Sequence, residues 1–409
     1  MSAPAPGAPR RAPGILLVVL MVAMAAGPVF NFALSALSAT IIDEFSISEG
    51  RYGILLSVVF VSAGLTSAFV GAAADRIGPR AQILIILGGA LLAFVVGASF
   101  HNYWLLVLAA LIVGPTQAFS NPFTNRIIAS RVPLRQRSAW MGWKQSGVQM
   151  GMLIAGLSFP VIAAAAGWRG AALAGAGMCA AGLVLAWIVI SRLSRIAPEL
   201  ERKSPAADTR SASTAGGRMP AAVWLFALVS FLNAVGTQGV NAFASLFAVH
   251  AMGYPITIAG LMLGVVGVIG ILSRIGWGRA TGRWGRPAVL VMVMSLGGVL
   301  GLLFLVAAER TQLDALMWVG VAFHAVLPLA ANVVINSGIV AAAPEGRVGI
   351  ASGLVSAGMY LGFALGPAVM GAVVDVTGEY AIGWGLVGAT YIGCFAVALV
   401  LARLQRRSS

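Results

Sequence analysis

Apolar residues are arranged along this chain in long runs, and each run is about as long as a helix that crosses a lipid bilayer. A hydrocarbon core of about 30 Å requires roughly 20 residues of helix. Hydrophobic residues make up 59% of the chain and charged residues only 9%. We therefore predict an all-α polytopic membrane protein. The predicted spans, twelve in number and numbered here in chain order, cover residues 15–42, 52–74, 81–100, 104–130, 138–166, 169–191, 221–250, 256–277, 287–307, 315–342, 348–374 and 381–402.

Lysine and arginine residues fall almost entirely in alternate loops. If both termini are cytoplasmic, 20 of these cations lie on the cytoplasmic side, and three, Arg51, Arg169 and Arg310, lie on the opposite side. This asymmetry predicts a multi-pass protein with both termini in the cytoplasm. The formal net charge of +14 is spread over several loops and cannot form one nucleic-acid-binding face. We expect the lipid bilayer, and no nucleic acid, as a partner.

The sequence of one loop occurs twice in the chain. The segment 71–80 reads GAAADRIGPR, and a degraded copy at 278–287 reads GRATGRWGRP, 207 residues later. Asn121 and Asn125 recur as Asn332 and Asn336, at an offset of 211. The repeat indicates a duplication, and it predicts an N-terminal bundle of six helices at 1–191, a flexible hydrophilic linker at 192–220 and a C-terminal bundle at 221–409.

The segment 71–80 resembles the G-x-x-x-D-R-x-G-x-R loop between the second and third helices of the Major Facilitator Superfamily. The resemblance implies two pseudo-symmetric six-helix bundles, a substrate site between them and rocker-type alternating access. Members of this superfamily usually work as monomers. The resemblance also implies that a conformational latch, formed by Gly71, Asp75, Arg76, Gly78 and Arg80, stabilises the state closed to the cytoplasm. A simple tight turn in a positively charged loop is the alternative. In the second copy Gly282 replaces the aspartate, so the latch should be one-sided.

Three cations, Arg126, Lys144 and Arg274, lie inside predicted spans, where no Asp or Glu lies away from a span end. A charge at the bilayer centre costs roughly 2.5 to 3.5 kcal/mol on insertion scales. An anionic substrate would supply the missing countercharge, whereas snorkelling towards the cytoplasmic headgroups is the alternative. The spacing of Arg274 from Gly278 also resembles the monocarboxylate and oxalate branches of the superfamily, in which such an arginine binds carboxylate.

Polar residues recur every fourth position on the first, fourth, seventh and tenth spans, the helices that line the central cavity in this superfamily. A spacing of four keeps each set on one helix face. Hydrogen bonding between membrane helices is the alternative explanation for any one residue. Besides the three cations, the predicted substrate-binding residues are Asn31, Gln117, Asn121, Asn125, Gln145, Gln149, Gln238, Asn241, His324, Asn332, Asn336 and Tyr360.

Chemistry beyond binding is not indicated by the sequence. No Ser/His/Asp set, metal-ligand cluster or phosphate loop is evident, so we expect neither an enzyme nor a cofactor or metal. Cys179 and Cys394 fall inside predicted spans, where they resemble small hydrophobic residues. His324 is the deep titratable group with a pKa suited to proton coupling, although a neutral structural histidine is equally consistent with the pattern.

Together these features predict a secondary active transporter of the bacterial inner membrane that moves a small organic anion, such as a carboxylate, by rocker-type alternating access. Symport with a proton or cation is one form of coupling, and the sequence leaves the coupling ion and the direction of transport open. Proton-coupled efflux of amphipathic drugs is one alternative. Its G-x-x-x-G-P motif is expected in the fifth span, but the matching residues, 362–367, fall in the eleventh. A solute sensor that does not transport is a second alternative, and it would be expected to carry a sizeable cytoplasmic domain.

Overall fold

The structure, a computed structural model, describes residues 14–196, 219–344 and 347–408. Within these ranges the side chains at 68, 71–76, 134, 135, 138, 194, 196 and 406–408 are not described. The described residues are almost entirely helical. We call 14–196 the first half and 219–408 the second half.

The first half contains the first six spans. In order, its helices are Gly14–Ala36 with Ser38–Phe45 (first span), Glu49–Arg76 (second), Pro79–Ile83 with a π-helical turn at Leu84–Gly88 and Gly89–Ser99 (third), Tyr103–Arg131 (fourth), and Leu134–Ile196 (fifth and sixth).

The second half repeats this arrangement. Its helices are Ala221–His250 (seventh span), Ile256–Trp284 (eighth), Pro287–Thr311 (ninth), Asp314–Val326, a 3-10 turn at Pro328–Ala330 and Ala331–Ala342 (tenth), Val348–Thr377 (eleventh) and Tyr380–Ser408 (twelfth).

The helix Leu134–Ile196 is broken at Ala166 and Gly167, and this break separates two membrane crossings. Its 63 residues would extend about 95 Å as one straight helix, three times the thickness of a bilayer core. Gly167 has φ of +61°, a conformation that glycine adopts without strain. The backbone N–H of Trp168 then donates to Glu44 Oε1 at 2.8 Å, which caps the sixth span. The eleven long apolar helices of the described residues thus make twelve crossings.

The tenth span differs from the single continuous helix that the sequence predicted. It breaks at Leu327, immediately before Pro328, because proline lacks the N–H that would continue the helix. The freed carbonyl of Val326 accepts hydrogen bonds from Trp277 Nε1, at 2.8 Å, and from the Ser273 hydroxyl. Backbone groups released by such a break inside a membrane must find partners within the protein.

In the first half the first span packs on the fifth. In the second half the seventh span packs on the eleventh and the ninth on the twelfth. The two halves meet where the second span packs on the eleventh and the fifth on the eighth. The predicted spans are confirmed to within a few residues at most ends. The sixth span continues to Ile196, and 197–218 lie outside the described residues, so the linker bounds stay a prediction.

Candidate functional site

The two halves are joined at one face of the bundle. We call the face where the described chain begins and ends the terminal face, and the opposite one the far face. The second span begins at the far face, where the Tyr52 hydroxyl lies 3.2 Å from the Leu34 carbonyl of its own half and 3.2 Å from the Ala242 carbonyl of the second half. Ser57 donates to the Ala364 carbonyl, and Ser245 donates to the Ala36 carbonyl at 3.4 Å. These contacts close the far face.

A second set of far-face contacts is centred on Glu49. Its Oε1 accepts a hydrogen bond of 2.7 Å from the Tyr380 hydroxyl and lies 3.2 Å from His250 Nδ1. Both partners belong to the second half. Together with Glu309 and Asp375 these side chains line a cavity of about 440 Å³. The far face thus carries a pocket lined by three carboxylates, those of Glu49, Glu309 and Asp375.

Glycines permit the close approach of the halves at this face. A Cβ on Gly53 would lie 2.2 Å from the Pro367 carbonyl oxygen, and one on Gly371 would lie 2.4 Å from that of Glu49. Glycines near the terminal face differ, since no described atom lies within 4 Å of a Cβ built at Gly142, Gly276, Gly282, Gly349 or Gly353. The close glycine contacts between the halves run from the far face to the level of Gly267, whose Cβ would lie 2.9 Å from the Leu153 nitrogen, and these five positions near the terminal face show none.

Lys144 lies in the fifth span with 1% of its surface exposed. Its ammonium group donates to Asn121 Oδ1 at 3.1 Å, to Thr124 Oγ1 at 2.9 Å and to Asn125 Oδ1 at 2.5 Å. All three acceptors are neutral and lie on the fourth span. The side chain points into the first half and does not snorkel to the terminal face.

Arg274 lies in the eighth span and contacts the opposite half. With the Gln149 amide oriented so that its oxygen faces the two donors, that oxygen lies 2.6 Å from Nη1 and 2.9 Å from Nη2. Gln149 is itself 1% exposed. This guanidinium, like the Lys144 ammonium, has a neutral partner, so its charge is not compensated by this contact.

Arg126 has different surroundings from the other two cations. Its Nη1 lies 3.3 Å from the Ile77 carbonyl oxygen, which belongs to the loop between the second and third spans. Gln82 Nε2 donates to the same carbonyl at 2.8 Å. The Arg126 guanidinium therefore lies beside the loop between the second and third spans, at the terminal face.

The predicted polar stripes divide into two sets. One set is exposed on membrane helices near the terminal face: Asn121, Asn125, Gln145 and Asn336. Gln145 also lies within 3.4 Å of Asn121 Oδ1. Asn332 and Tyr360 are half-buried. Exposed amides on apolar helices favour an aqueous opening between the halves on this side over contact with lipid.

The other set is buried deeper in the protein. Asn31 and Gln238 are each 3% exposed, and Asn31 Oδ1, Gln117 Nε2 and Gln238 Nε2 have no hydrogen-bond partner among the described residues. Leaving a buried polar group unsatisfied costs about 1 to 3 kcal/mol. Such groups in the centre of the protein indicate a place where a ligand or water completes the hydrogen bonding.

His324 belongs to this deeper region. It is 3% exposed, its Nε2 lies 3.0 Å from Asn241 Oδ1, and its Nδ1 has no partner among the described residues. Because the amide oxygen can only accept, Nε2 donates in this contact. A buried imidazolium would also need an acceptor at Nδ1, and the described residues supply none, so the neutral form fits this arrangement.

The predicted latch falls partly outside the described residues. The side chains of Gly71, Asp75 and Arg76 belong to the segment that is not described, while Gly78 precedes the short helix that begins at Pro79 and Arg80 is half-buried. The latch therefore stays a prediction.

The far-face contacts of Glu49, Tyr52, His250 and Tyr380 were not predicted from the sequence. Each of these residues lies near a span end, where polar side chains are common, and the pairing of one half with the other carries no local signal. Thr124 was missed for a related reason, since a threonine in a membrane helix usually bonds within its own helix.

Comparison with known proteins agrees with this architecture. The sequence model of the family described as "Major Facilitator Superfamily" matches residues 16–338 of this chain. The chain belongs to the Major Facilitator Superfamily. It accordingly has the fold of that superfamily, with membrane-spanning helices in two bundles of six.

The relatives that this chain matches are named for chemically diverse compounds. The chain is 25% identical over 186 residues to a gallate transporter of Pseudomonas putida, covering 45% of this chain and 41% of that protein. It is 32% identical over 131 residues to the class B tetracycline resistance protein of Escherichia coli, covering 31% of each. The chain thus spans less than half the length of these two curated relatives. A probable nitrate/nitrite transporter of Mycobacterium tuberculosis is 26% identical over 379 residues, covering 89% of this chain and 90% of that protein.

Among solved structures, a bacterial homolog of the human lysosomal transporter Spinster, in an inward-facing and unoccupied conformation, superposes with a TM-score of 0.71. It shares 18% sequence identity, and the match covers 95% of this chain and 97% of that chain. This likeness shows the fold.

Proposed function

We propose that this transporter moves a small organic anion, a carboxylate, across the bacterial inner membrane by alternating access. The observation that carries the proposal is the environment of Lys144, a cation with 1% exposure whose hydrogen-bond acceptors are two amides and one hydroxyl. Withdrawing an ammonium from water costs several kcal/mol, which neutral acceptors offset only in part. An anion bound beside it would supply the missing charge.

A ligand can reach Lys144 by displacing the residues that accept its hydrogen bonds. Asn121 and Asn125 are exposed, and each accepts a hydrogen bond from the ammonium group. A carboxylate oxygen that displaces either amide would bring a full negative charge to the ammonium, which the neutral amide does not supply. Arg274, whose Gln149 partner is also neutral, offers a second cation from the other half. Arg126 stays a third candidate, nearer the terminal face.

Two relatives support an anion as the substrate. A gallate transporter and a probable nitrate/nitrite transporter both act on anions by their names, although each is about one quarter identical to this chain. We keep His324 as the candidate for proton coupling in symport, since imidazole is the side chain whose ordinary pKa lies close to physiological pH.

The transport cycle follows from the closed and open faces. With both termini in the cytoplasm, as the arginine distribution predicts, the far face is periplasmic and the conformation described here is open to the cytoplasm. Asp75 and its loop would then act in the opposite state, closing the terminal face. Substitution Asp75→Asn should shift the population towards the cytoplasm-open state.

Uptake into proteoliposomes tests the substrate class. We expect counterflow with one or more labelled monocarboxylates, reduced at least about tenfold in Lys144→Ala, which corresponds to about 1.4 kcal/mol. Arg310→Ala provides the matched control, since Arg310 is an exposed far-face cation paired with Glu379. Uptake of carboxylates that is equal in all three proteins would contradict the proposal.

Drug efflux is the second candidate, because a segment of the chain is 32% identical to a tetracycline resistance protein. It predicts that amphipathic cationic or zwitterionic drugs bind while carboxylates do not, and that Lys144→Ala leaves drug binding intact. The same proteoliposomes, loaded with a fluorescent drug, distinguish the two functions.

A further inference from the structure

A titratable pair joins the two halves at the rim of the far face. Glu49 is the first residue of the second span and His250 is the last residue of the seventh, and their Oε1 and Nδ1 atoms lie 3.2 Å apart. The Tyr380 hydroxyl donates to the same Oε1 at 2.7 Å and lies 3.4 Å from Nδ1. Opening the far face between the halves must therefore break this pair.

The Glu49 carboxylate is largely withdrawn from water. Its side chain is 16% exposed, and its Oε2 has no hydrogen-bond partner among the described residues. A carboxylate in such surroundings gains more from a nearby cation than a fully hydrated carboxylate does. A protonated His250 supplies that cation, whereas the neutral imidazole offers only a hydrogen bond.

His250 itself is open to the water of the far face. Its side chain is 31% exposed, so the ring can exchange protons directly with the solution on that side. Histidine is the side chain whose charge ordinarily changes between about pH 5 and pH 8. The charge on one member of the pair can therefore follow the pH outside the far face.

Acidic groups face His250 from both halves. The titratable groups around it come from five spans and are Asp43 (first), Glu49 (second), Glu309 (ninth), Asp375 (eleventh) and Tyr380 (twelfth). The cation that follows Glu309 in the chain, Arg310, is engaged by Glu379 at 3.0 Å. Glu309 and Asp375 belong to the same half as His250 and stay beside it when the halves separate. Glu49 and Asp43 belong to the first half, so their negative charge acts on His250 through closure of the far face.

We propose that the Glu49–His250 pair makes closure of the far face pH-dependent, so that an acidic solution on that side keeps the face closed. Because a protonated His250 meets the first-half carboxylates only in the closed conformation, protonation and closure stabilise each other. This contribution is fully present below about pH 6.5, the ordinary pKa of histidine, and is lost as the pH rises above neutrality. The device acts on the conformation of the protein and does not depend on which substrate it carries.

Labelling from the far face tests the proposal in sealed proteoliposomes. Ala36 has no exposed surface in the closed conformation, so Ala36→Cys, in a Cys179→Ala and Cys394→Ala background, reacts with an impermeant maleimide only when the far face opens. Phe100→Cys in the same background replaces a far-face residue that is 74% exposed, and its labelling rate corrects for the effect of pH on the thiol itself. The rate ratio of the first cysteine to the second should be about fivefold lower at about pH 5.5 than at about pH 8, which is the upper end of what a partly exposed ion pair provides.

Variants assign the pH dependence to the pair. His250→Gln carries no charge, so labelling should stay fast across this range, whereas His250→Arg carries a permanent charge and labelling should stay slow. Glu49→Gln keeps an acceptor for Tyr380 but removes the carboxylate, and it should also abolish the pH dependence. The matched control is His101→Gln, because His101 lies at the far face with its Nε2 2.7 Å from the Glu44 carbonyl oxygen of its own half. This control should keep the pH dependence of the parent protein, and a melting curve for each variant shows whether it is folded.

The outcomes separate clearly. A rate ratio that does not change with pH in the parent protein would overturn the proposal, and so would a pH dependence that persists in His250→Gln and Glu49→Gln. Loss of the pH dependence in His101→Gln would assign the effect to the first half instead of the pair. Since the labelling needs no substrate, each of these results leaves the proposed organic-anion function to its own test.

Discussion

Arg274 of the second half holds the side-chain oxygen of Gln149 of the first half at 2.6 and 2.9 Å. This pair lies where the fifth span packs on the eighth, close to the middle of the membrane. Since the amide is neutral, the contact links the two halves without cancelling the charge. The proposed substrate anion would therefore compete with a neutral amide, and not with a carboxylate, for the guanidinium.

Substituting Gln149→Glu should turn this contact into an ion pair and occupy the guanidinium permanently. We expect carboxylate affinity to fall at least about tenfold, or about 1.4 kcal/mol, while the melting temperature is retained or raised. Isothermal titration and differential scanning fluorimetry measure the two quantities. Gln312→Glu adds the same charge at the far face as a control, and an unchanged affinity in Gln149→Glu would exclude Arg274 from the binding site.

Removing the Tyr52 hydroxyl should loosen the far face. Tyr52→Phe deletes one hydrogen bond between the halves. If the conformation with a closed far face loses about 1 kcal/mol of stability, the ratio of molecules with an open far face to those with a closed one rises about fivefold. A cysteine at Ala36, in a Cys179→Ala and Cys394→Ala background, should then react faster with an impermeant maleimide added from the far face.

Tyr103→Phe is the matched control for this experiment. Its hydroxyl bonds the Arg51 carbonyl at 3.0 Å, and both residues belong to the first half. Equal labelling rates in Tyr52→Phe, Tyr103→Phe and the parent protein would show that the Tyr52 hydroxyl does not hold the halves together.

Adding bulk at Gly53 should prevent closure of the far face. A Cβ there would already lie 2.2 Å from the Pro367 carbonyl oxygen, and a backbone group cannot move aside as a flexible side chain does. We expect Gly53→Val to abolish transport while the protein remains folded and its far face stays open to maleimide. Gly385→Val serves as control, because no described atom lies within 4 Å of a Cβ at that position; full transport by Gly53→Val would contradict the role of this contact.

Replacing His324 should separate proton coupling from binding. His324→Gln retains a donor for Asn241 but cannot take up a proton. We expect the variant to exchange carboxylate in counterflow yet to lose accumulation driven by an inward proton gradient, which proteoliposomes with an imposed pH difference can measure. Gradient-driven accumulation equal to that of the wild type would assign coupling to another group.

The sequence predicted the fold well because membrane helices are constrained by length and apolar composition alone. Ala221–His250 matches its predicted span at both ends, and the repeated loop at 71–80 and 278–287 located the two halves. The break before Pro328 was missed, since it depends on Ser273 and Trp277 of another helix receiving the freed carbonyl of Val326. Proline in a membrane helix is otherwise often tolerated without a break.

The candidate site was predicted less completely than the fold. The sequence identified Lys144 and Arg274 as cations without a carboxylate in any span interior, because burial of a charge is costly wherever the helix packs. It could not distinguish their surroundings from those of Arg126, which contacts the Ile77 carbonyl. Pairings such as Glu49 with Tyr380 join positions far apart in the chain and depend on how the two halves dock.

The most direct test of the account is the thermal stability of the purified protein against a panel of carboxylates, inorganic anions, sugars and cationic drugs, with Lys144→Ala beside the wild type. A ligand at a hundredfold excess over its dissociation constant stabilises the folded state by about 2.7 kcal/mol, which is readily detected. We predict that a carboxylate raises the melting temperature of the wild type and not that of Lys144→Ala. Stabilisation by cationic drugs alone, equal in both proteins, would contradict the assignment of Lys144 as the countercharge of an organic anion.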